Sequence, residues 1–227
     1  MTLQLACAPW LGAFATAAHA GLLTQGDAAS ALRLTLERGA SLAVDLLGRV
    51  DGFLGNPKVR IPLPGHLNDI AKWMSTFGQQ RRVDELVTAM NRAAEAAVPK
   101  ARSLLISAVK GVSVQDAQQI ITGGENSVTT FFAEKTRTPL GQEFLPVVTQ
   151  ATEKVSLAAK YNRIASKASS LGMLDARDAN IQEYVTGKAL DGLYLMIGEE
   201  ERKIRRDPAA TGVALLKKVF GAMKSPN

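Results

Sequence analysis

Cysteine and histidine are almost missing from this sequence of 227 residues, which has one cysteine, Cys7, and two histidines, His19 and His66. Zinc centres need several Cys or His ligands, so the composition excludes the common ones. A Cys–His or Ser–His nucleophile pair would have to use His66, which follows Pro64-Gly65 and is expected to start a helix. We therefore expect no metal, no cofactor and no thiol or histidine catalysis.

The motifs of nucleotide-binding enzymes are also incomplete. Gly123-Gly124 has neither the lysine nor the spacing of a phosphate-binding loop, which indicates a turn between helices. Tyr184 and Lys188 match the Y-x-x-x-K pair of short-chain dehydrogenases, but the glycine fingerprint and the parallel strands of a nicotinamide site are missing. We interpret this pair as a coincidence.

Charges of one sign are not segregated along the chain, although 27 Lys and Arg against 21 Asp and Glu give a formal net charge of +6. The densest basic stretch comprises Arg202, Lys203, Arg205 and Arg206, followed by Lys217 and Lys218. No aromatic residues for base stacking accompany it, which argues against nucleic acid as a partner. Two interpretations stay open: solvated helix ends, or a surface that meets an anionic membrane.

Residues 1–20 contain no charged side chain and end in Ala18-His19-Ala20, the small-residue pattern of a signal-peptide cleavage site. The apolar run is too short to span the roughly 30 Å core of a bilayer, so we do not expect a retained transmembrane helix. No basic residue precedes the run, which leaves open a translation start upstream. We expect cleavage near Ala20 and a periplasmic or secreted mature protein.

Apolar residues recur every three or four positions along most of the remaining chain, the period of a helix face. The pattern predicts helices over residues 27–47, 66–77, 82–98, 100–110, 113–121, 125–135, 147–168, 179–204 and 209–223. Ser113 and Asp116 resemble a capping box. Thr138 and Pro139 are expected to begin a helix, and Pro146 is expected to kink or divide the next stretch. Without repeats or low-complexity linkers, residues 21–227 are predicted to form an all-α, single-domain helical bundle.

Residues 52–64 break the helical period. Within them, Val59, Ile61 and Leu63 alternate with Lys58, Arg60 and Pro62. A period of two indicates extended chain, and Pro62 and Pro64 have no N–H to donate, which argues against a central β-strand. We predict an extended segment, the strap, lying on the helices.

Residues 189–197 are apolar around the whole helix except for Asp191, which indicates a central helix buried on all sides. A buried carboxylate needs a partner, and Lys188 lies three residues away. Arg92 and Glu95 form a second charged island among alanines. We hypothesise that the two helices pack together and that Arg92, Glu95, Lys188 and Asp191 form one buried cluster. It would be either a structural ion network or the floor of a polar pocket with a carboxylate for acid–base work.

Three glycines, Gly187, Gly192 and Gly198, interrupt the same predicted helix. Glycine lowers helix stability by roughly 1 kcal/mol relative to alanine. We predict that these positions allow neighbouring helices to approach the backbone closely.

These stretches resemble one family, the bacterial proteins grouped as domain of unknown function 4197. The matching blocks are residues 52–64, 90–97, 123–124, 184–193 and 204–221, and the resemblance runs roughly from Leu22 to Gly221. It implies an exported helical protein of Gram-negative bacteria. It supplies no activity and no catalytic residue.

A rich apolar core and a poor reactive inventory favour a non-catalytic periplasmic protein that binds a partner protein, such as an envelope protein, or an apolar small molecule. A preformed apolar cavity of roughly several hundred Å³ would favour the small molecule. One alternative is an enzyme that uses carboxylate and lysine groups, centred on Asp191 and Lys188. Another is a peripheral membrane protein that uses its basic C-terminal helices.

Overall fold

The computed structural model describes residues 25–65, 76, 78–172 and 179–207, and these residues form helices and turns without a β-strand. The helices are α1 (Gln25–Leu47), α2 (Gln80–Ala97), α3 (Ala101–Lys110), α4 (Val114–Thr122), α5 (Ser127–Thr152), α6 (Ser156–Ser170) and α7 (Ile181–Arg206). The prediction of an all-α fold is confirmed. No helix in the described ranges is both long and apolar enough to cross a membrane. The predicted signal segment and helix 209–223 lie outside the described residues, as does helix 66–77 apart from Thr76.

Helix α5 organises the core, because it packs extensively against α2 and α7 and also contacts α3. Its buried side chains Phe132, Leu140, Phe144 and Val148 are four to eight residues apart and so share one face. Helix α1 contacts α3, α4 and α7. The predicted apolar face of α1 is confirmed at Leu32, Leu36, Ala40, Val44 and Leu47, all of which are buried.

Both prolines lie inside α5, so the predicted helix start at Pro139 and the predicted division at Pro146 are wrong. A proline in a helix interior removes the hydrogen bond to the carbonyl four residues earlier. Here those carbonyls belong to Lys135 and Gln142, whose side chains are exposed, so water can replace the lost bonds. The buried face of α5 then keeps the helix continuous as far as Thr152.

Other helix boundaries follow the sequence signals. Ser113 Oγ accepts a hydrogen bond from the Asp116 amide at 3.0 Å, and Asp116 Oδ2 accepts one from the Ser113 amide at 2.9 Å, which confirms the capping box of α4. Residues Val98–Lys100 form a 3₁₀ turn that contains Pro99 and joins α2 to α3. The turn at Gly123-Gly124 joins α4 to α5, as predicted.

Helix α7 is buried along most of its surface but not on all sides. Lys188, Asp191 and Leu195 are exposed, and their spacing of three and four residues places them on one stripe. The prediction that Asp191 is buried is therefore wrong. The helix belongs to the core, with one face open to solvent.

The strap follows α1 in the chain and has two parts. Its first part, residues 52–59, continues the turns that begin after α1, and its second part, residues 60–64, is irregular chain without helix or strand hydrogen bonds. Val59, Ile61 and Leu63 are buried, while the side chains that alternate with them are exposed, so the predicted alternation is confirmed. The sequence pattern alone did not indicate the turns in the first half.

Candidate functional site

The strap is held against the bundle first by Asn91 of α2, which is fully buried. Its Oδ1 accepts a hydrogen bond from the Ile61 amide at 2.8 Å, and its Nδ2 donates to the Ile61 carbonyl oxygen at 2.9 Å. Nδ2 also donates to the Val87 carbonyl oxygen at 2.8 Å. The side-chain amide thus replaces the neighbouring strand that a buried extended segment would otherwise need.

Glu95, one helical turn further along α2, holds the beginning of the strap. Its Oε1 accepts hydrogen bonds from the amides of Phe53 and Leu54, both at 3.0 Å. Its Oε2 accepts from Arg92 at 2.6 Å, and Arg92 also pairs with Asp51 at 2.8 Å. The hydrogen bond to Glu95 is the main cause that raises the pKa of Arg92. The Glu95 carboxylate, only 5% exposed, therefore has a cation and two backbone donors as partners.

Helix α7 contacts the other side of the strap. The Tyr184 hydroxyl donates to the Pro62 carbonyl oxygen at 3.1 Å. At Gly192, a Cβ atom would lie 2.8 Å from Cε1 of Phe53 and 3.3 Å from Cβ of Val59, so only glycine leaves room for these side chains. We call Asn91, Glu95 and Tyr184 the latch, because their hydrogen bonds attach the strap to α2 and α7.

The predicted cluster of four charges is only partly formed. Arg92 and Glu95 pair as expected, and their helix packs against α7. Asp191, however, pairs with Arg137 of α5 at 2.6 Å, and both side chains are about half exposed. Lys188 lies over the Tyr184 ring, with Nζ 5.8 Å from the ring centroid. Within the described ranges no ion pair joins Lys188 or Asp191 to the other island.

This arrangement is unfavourable for the two catalytic interpretations of α7. Asp191 is bonded to Arg137 in a half-exposed position, so it lacks the desolvated surroundings that adapt carboxylates for acid–base work. The Tyr184 hydroxyl is engaged with the strap backbone rather than directed toward a substrate site. The dehydrogenase-like spacing of Tyr184 and Lys188 therefore has a structural explanation.

A groove runs between the outer side of the strap and the exposed stripe of α7. It has a volume of about 220 Å³, and we call it the strap groove. It is lined by residues 58–62 of the strap and by Lys188, Asp191, Gly192 and Leu195 of α7. Lys58 bridges it at one end through an ion pair with Glu199 at 2.7 Å, which lowers the pKa of Glu199.

The predicted basic surface is divided by the structure. Arg205 points into the molecule, where it pairs with the buried Glu201 at 2.8 Å and donates to the Ile120 carbonyl oxygen at 2.8 Å. Lys203 is exposed but pairs with Glu200 at 2.6 Å. Arg202 is partly exposed and Arg206 exposed. Lys217 and Lys218 lie outside the described residues.

The prediction that Arg205 belongs to the basic surface is therefore wrong. Its long side chain allows the guanidinium to turn into the molecule. From the last turn of α7 the guanidinium reaches the α4–α5 turn, where it also donates to Ser127 Oγ at 2.6 Å. Glu201, one turn earlier, supplies the compensating charge. A run of basic residues at the end of a helix does not show which of their side chains turns into the molecule.

Two further depressions differ from the strap groove. One, between α1 and α7, is lined mainly by apolar residues such as Leu32, Leu36 and Ile197, but it has a volume of only about 20 Å³. A cavity of that size holds about one water molecule. The other, about 520 Å³, lies at the α4–α5 turn and is lined by Asp116, Glu125, Glu134 and one cation, Lys135. Its acidic lining does not suit a phosphate beside Gly123-Gly124.

Four contributors to the site were missed in the sequence: Asn91, Asp51, Arg137 and the hydroxyl of Tyr184. Asn91 had a detectable signal, because an amide among buried alanines needs a partner, and an extended strap with two prolines offers unpaired backbone groups. Arg137 and Asp51 had none, since they are distant in sequence from the residues with which they pair.

The chain matches the model of the family described as "Protein of unknown function (DUF4197)" over residues 22–221. Comparisons with curated proteins and with solved structures found no match. The matched region contains the whole strap, all of α2 and all of α7.

Proposed function

The chain belongs to the family described as protein of unknown function DUF4197, and we propose that it is a non-catalytic periplasmic protein that binds a partner protein through the strap. The observation that carries this proposal is the latch. Buried polar side chains from two helices are used to fix an irregular segment in one conformation. Segments of this kind, positioned by a rigid scaffold, commonly provide binding surfaces.

The strap has one set of buried side chains and one set of exposed side chains. Its buried residues and backbone groups are bound by α2 and α7, while Lys58, Arg60 and Pro62 face solvent. A partner would therefore meet a preordered surface and would not have to order the segment itself. Preorganisation of this kind reduces the entropic cost of binding.

A protein partner is favoured over an apolar small molecule by the size of the apolar pocket between α1 and α7. Its volume of about 20 Å³ is far below the roughly 300–1,000 Å³ that small-molecule sites occupy. The strap groove is larger but open and bordered by charges. Both features suit a surface contact better than an enclosed ligand.

The periplasmic location is part of the proposal and rests on the uncharged residues 1–20 and on Ala18-His19-Ala20. Amino-terminal sequencing of protein recovered from the periplasm of the native host tests it directly. We expect a mature chain that begins at Gly21. Recovery of uncleaved protein in the cytoplasmic fraction would refute the location without bearing on the strap.

Native mass spectrometry of the protein purified from its host tests the binding function. We expect the wild type to retain a protein partner, and Asn91→Ala, which frees the strap at Ile61, to lose it. Asn126→Ala is the matched control, because Asn126 is exposed and its side chain makes no cap hydrogen bond. An empty wild-type monomer, or a small molecule as the only bound species, would contradict the proposal.

A further inference from the structure

Two cations of the strap groove have no carboxylate partner among the described residues. Arg60 on the strap and Lys188 on α7 are both exposed, and both line the groove. The other cations at its edges are neutralised, Lys58 by Glu199 and Arg137 by Asp191. The groove thus presents two available positive charges, one on each side.

The lining of the groove also includes an exposed apolar side chain. Leu195 is 40% exposed, which is unusual for a leucine on a helix that otherwise buries its large apolar residues. Next to it Gly192 adds no side chain to the floor. An occupant can therefore place an apolar group against Leu195 and negative groups toward Arg60 and Lys188.

The backbone of the strap limits how a partner can bind. Pro62 and Pro64 have no N–H, and the Ile61 amide and carbonyl are already bonded to Asn91. A partner cannot add to residues 61–64 as a β-strand, because the alternating donors of an edge strand are missing. Recognition must come from side chains.

From this juxtaposition we infer that the strap groove binds an acidic segment of the partner protein, with carboxylates paired to Arg60 and Lys188 and an apolar side chain against Leu195. The inference rests on the proposed function and adds the chemistry of the partner. An anionic bilayer fits less well, because Asp191 and Glu199 stand on the same face and would oppose a continuous negative surface. Discrete carboxylates can avoid them.

Site-specific photocrosslinking tests the inference in the full-length protein in its native host. The probe is p-benzoylphenylalanine placed at Leu195, and the control position is Leu34 of α1, an exposed leucine remote from the groove residues in sequence. Mass spectrometry then identifies the crosslinked peptide. We expect an adduct at position 195 to a protein segment that contains Asp or Glu next to an apolar residue.

Charge reversal provides the matched comparison. Arg60→Glu combined with Lys188→Glu is expected to lower the adduct yield at position 195 by on the order of tenfold, because the paired attractions become repulsions. Arg82→Glu combined with Lys160→Glu makes the same change in net charge at exposed positions outside the groove and should leave the yield within about twofold. Thermal melting of both double variants checks that they fold.

The possible outcomes distinguish failure of the acidic-segment inference from failure of the proposed binding function. An adduct to lipid at position 195, or a protein adduct there that survives the reversal of Arg60 and Lys188, overturns the acidic-segment inference. Protein adducts at position 34 alone overturn the groove as the binding surface but leave a binding function intact. Protein adducts at neither position, with an empty monomer in native mass spectrometry, overturn the binding function as well.

Discussion

Asn91 is the residue on which the attachment of the strap depends most. It is the one member of the latch that satisfies both a donor and an acceptor of the same strap residue, Ile61. Leaving a buried backbone group without a partner costs roughly 1–3 kcal/mol, more than the roughly 1 kcal/mol that a typical hydrogen bond contributes. The cost of losing Asn91 is therefore set mainly by the two Ile61 backbone groups that it leaves unpaired.

We predict that Asn91→Ala lowers the free energy of unfolding by about 2–5 kcal/mol, because it leaves the Ile61 amide and carbonyl unpaired and creates a small cavity. Urea titration followed by circular dichroism measures the change. Asn126→Ala, at an exposed position, should change stability by no more than about 0.5 kcal/mol. A loss below about 1 kcal/mol at Asn91 would mean that water or a shifted strap replaces its bonds.

Two glycines of α7 are predicted to respond to alanine with opposite signs. Gly192→Ala places a methyl group 2.8 Å from Cε1 of the buried Phe53, and overpacking of this kind costs about 1–3 kcal/mol. Gly187→Ala meets no atom within 4 Å and should gain up to about 1 kcal/mol of helix propensity. The prediction that these glycines allow neighbouring helices to approach is thus wrong at Gly187, and at Gly192 the close neighbour is the strap rather than a helix.

Thermal or urea unfolding of the two variants distinguishes packing from propensity. Both substitutions add the same methyl group to the same helix, so the difference between them isolates the contact with the strap. Stabilisation by both would show that Phe53 and Val59 move aside at little cost.

At the scale of the helices, the sequence predicted most boundaries because caps and turns act locally. The Ser113–Asp116 box, for example, depends only on residues within four positions. The prolines of α5 show the opposite case. Whether a helix continues through Pro139 depends on the solvent exposure of the freed carbonyl and on packing across the bundle, and a local pattern contains neither.

The capping box of α4 makes the stability of this element depend on pH. The pKa of Asp116 is lowered mainly by the hydrogen bond from the Ser113 amide and, next in size, by the hydrogen bond from the Ser113 hydroxyl. A lowered folded-state pKa means that the carboxylate contributes stability above its usual pKa and that this contribution is lost as the pH falls through the lowered value. The wild type should therefore exceed Asp116→Asn in stability at pH 6, and the difference should vanish near pH 2.

Urea titrations of both proteins between pH 2 and 6 measure this dependence. Glu125→Gln is the control, because it removes one exposed carboxylate that has no hydrogen bond to the backbone. It should show no comparable convergence at low pH. A constant difference between wild type and Asp116→Asn over the whole range would contradict the assigned role.

At the scale of the whole molecule, the sequence identified the right segments but not their pairing. The strap, the Arg92–Glu95 island and the Lys188–Asp191 island do lie at contacting elements, as hypothesised. The ion pairs differ because long-range partners such as Arg137 are set by the packing of α5 on α7. The exposed stripe was nevertheless present in the sequence, since Lys188, Asp191, Leu195 and Glu199 recur every three or four positions.

The latch also predicts that the strap unfolds together with the core although it contains no helix or strand. The amides of Phe53, Leu54 and Ile61 bond to Glu95 and Asn91, two buried side chains of α2, so their exchange with solvent requires the strap to detach from the core. The Lys58 amide donates to Asn56 Oδ1 in a solvent-exposed hydrogen bond, so it should exchange by local opening.

Native-state hydrogen exchange followed by NMR measures the difference. For a domain with at least about 5 kcal/mol of stability, the three protected amides should exchange more slowly than that of Lys58 by roughly three orders of magnitude or more. In Asn91→Ala, the Ile61 amide should exchange faster than the Phe144 amide of α5, because the strap then detaches before the weakened core unfolds. Equal exchange rates at Ile61 and Lys58 in the wild type would mean that the strap is not part of the cooperative structure, and a surface built on it could not be preordered for a partner.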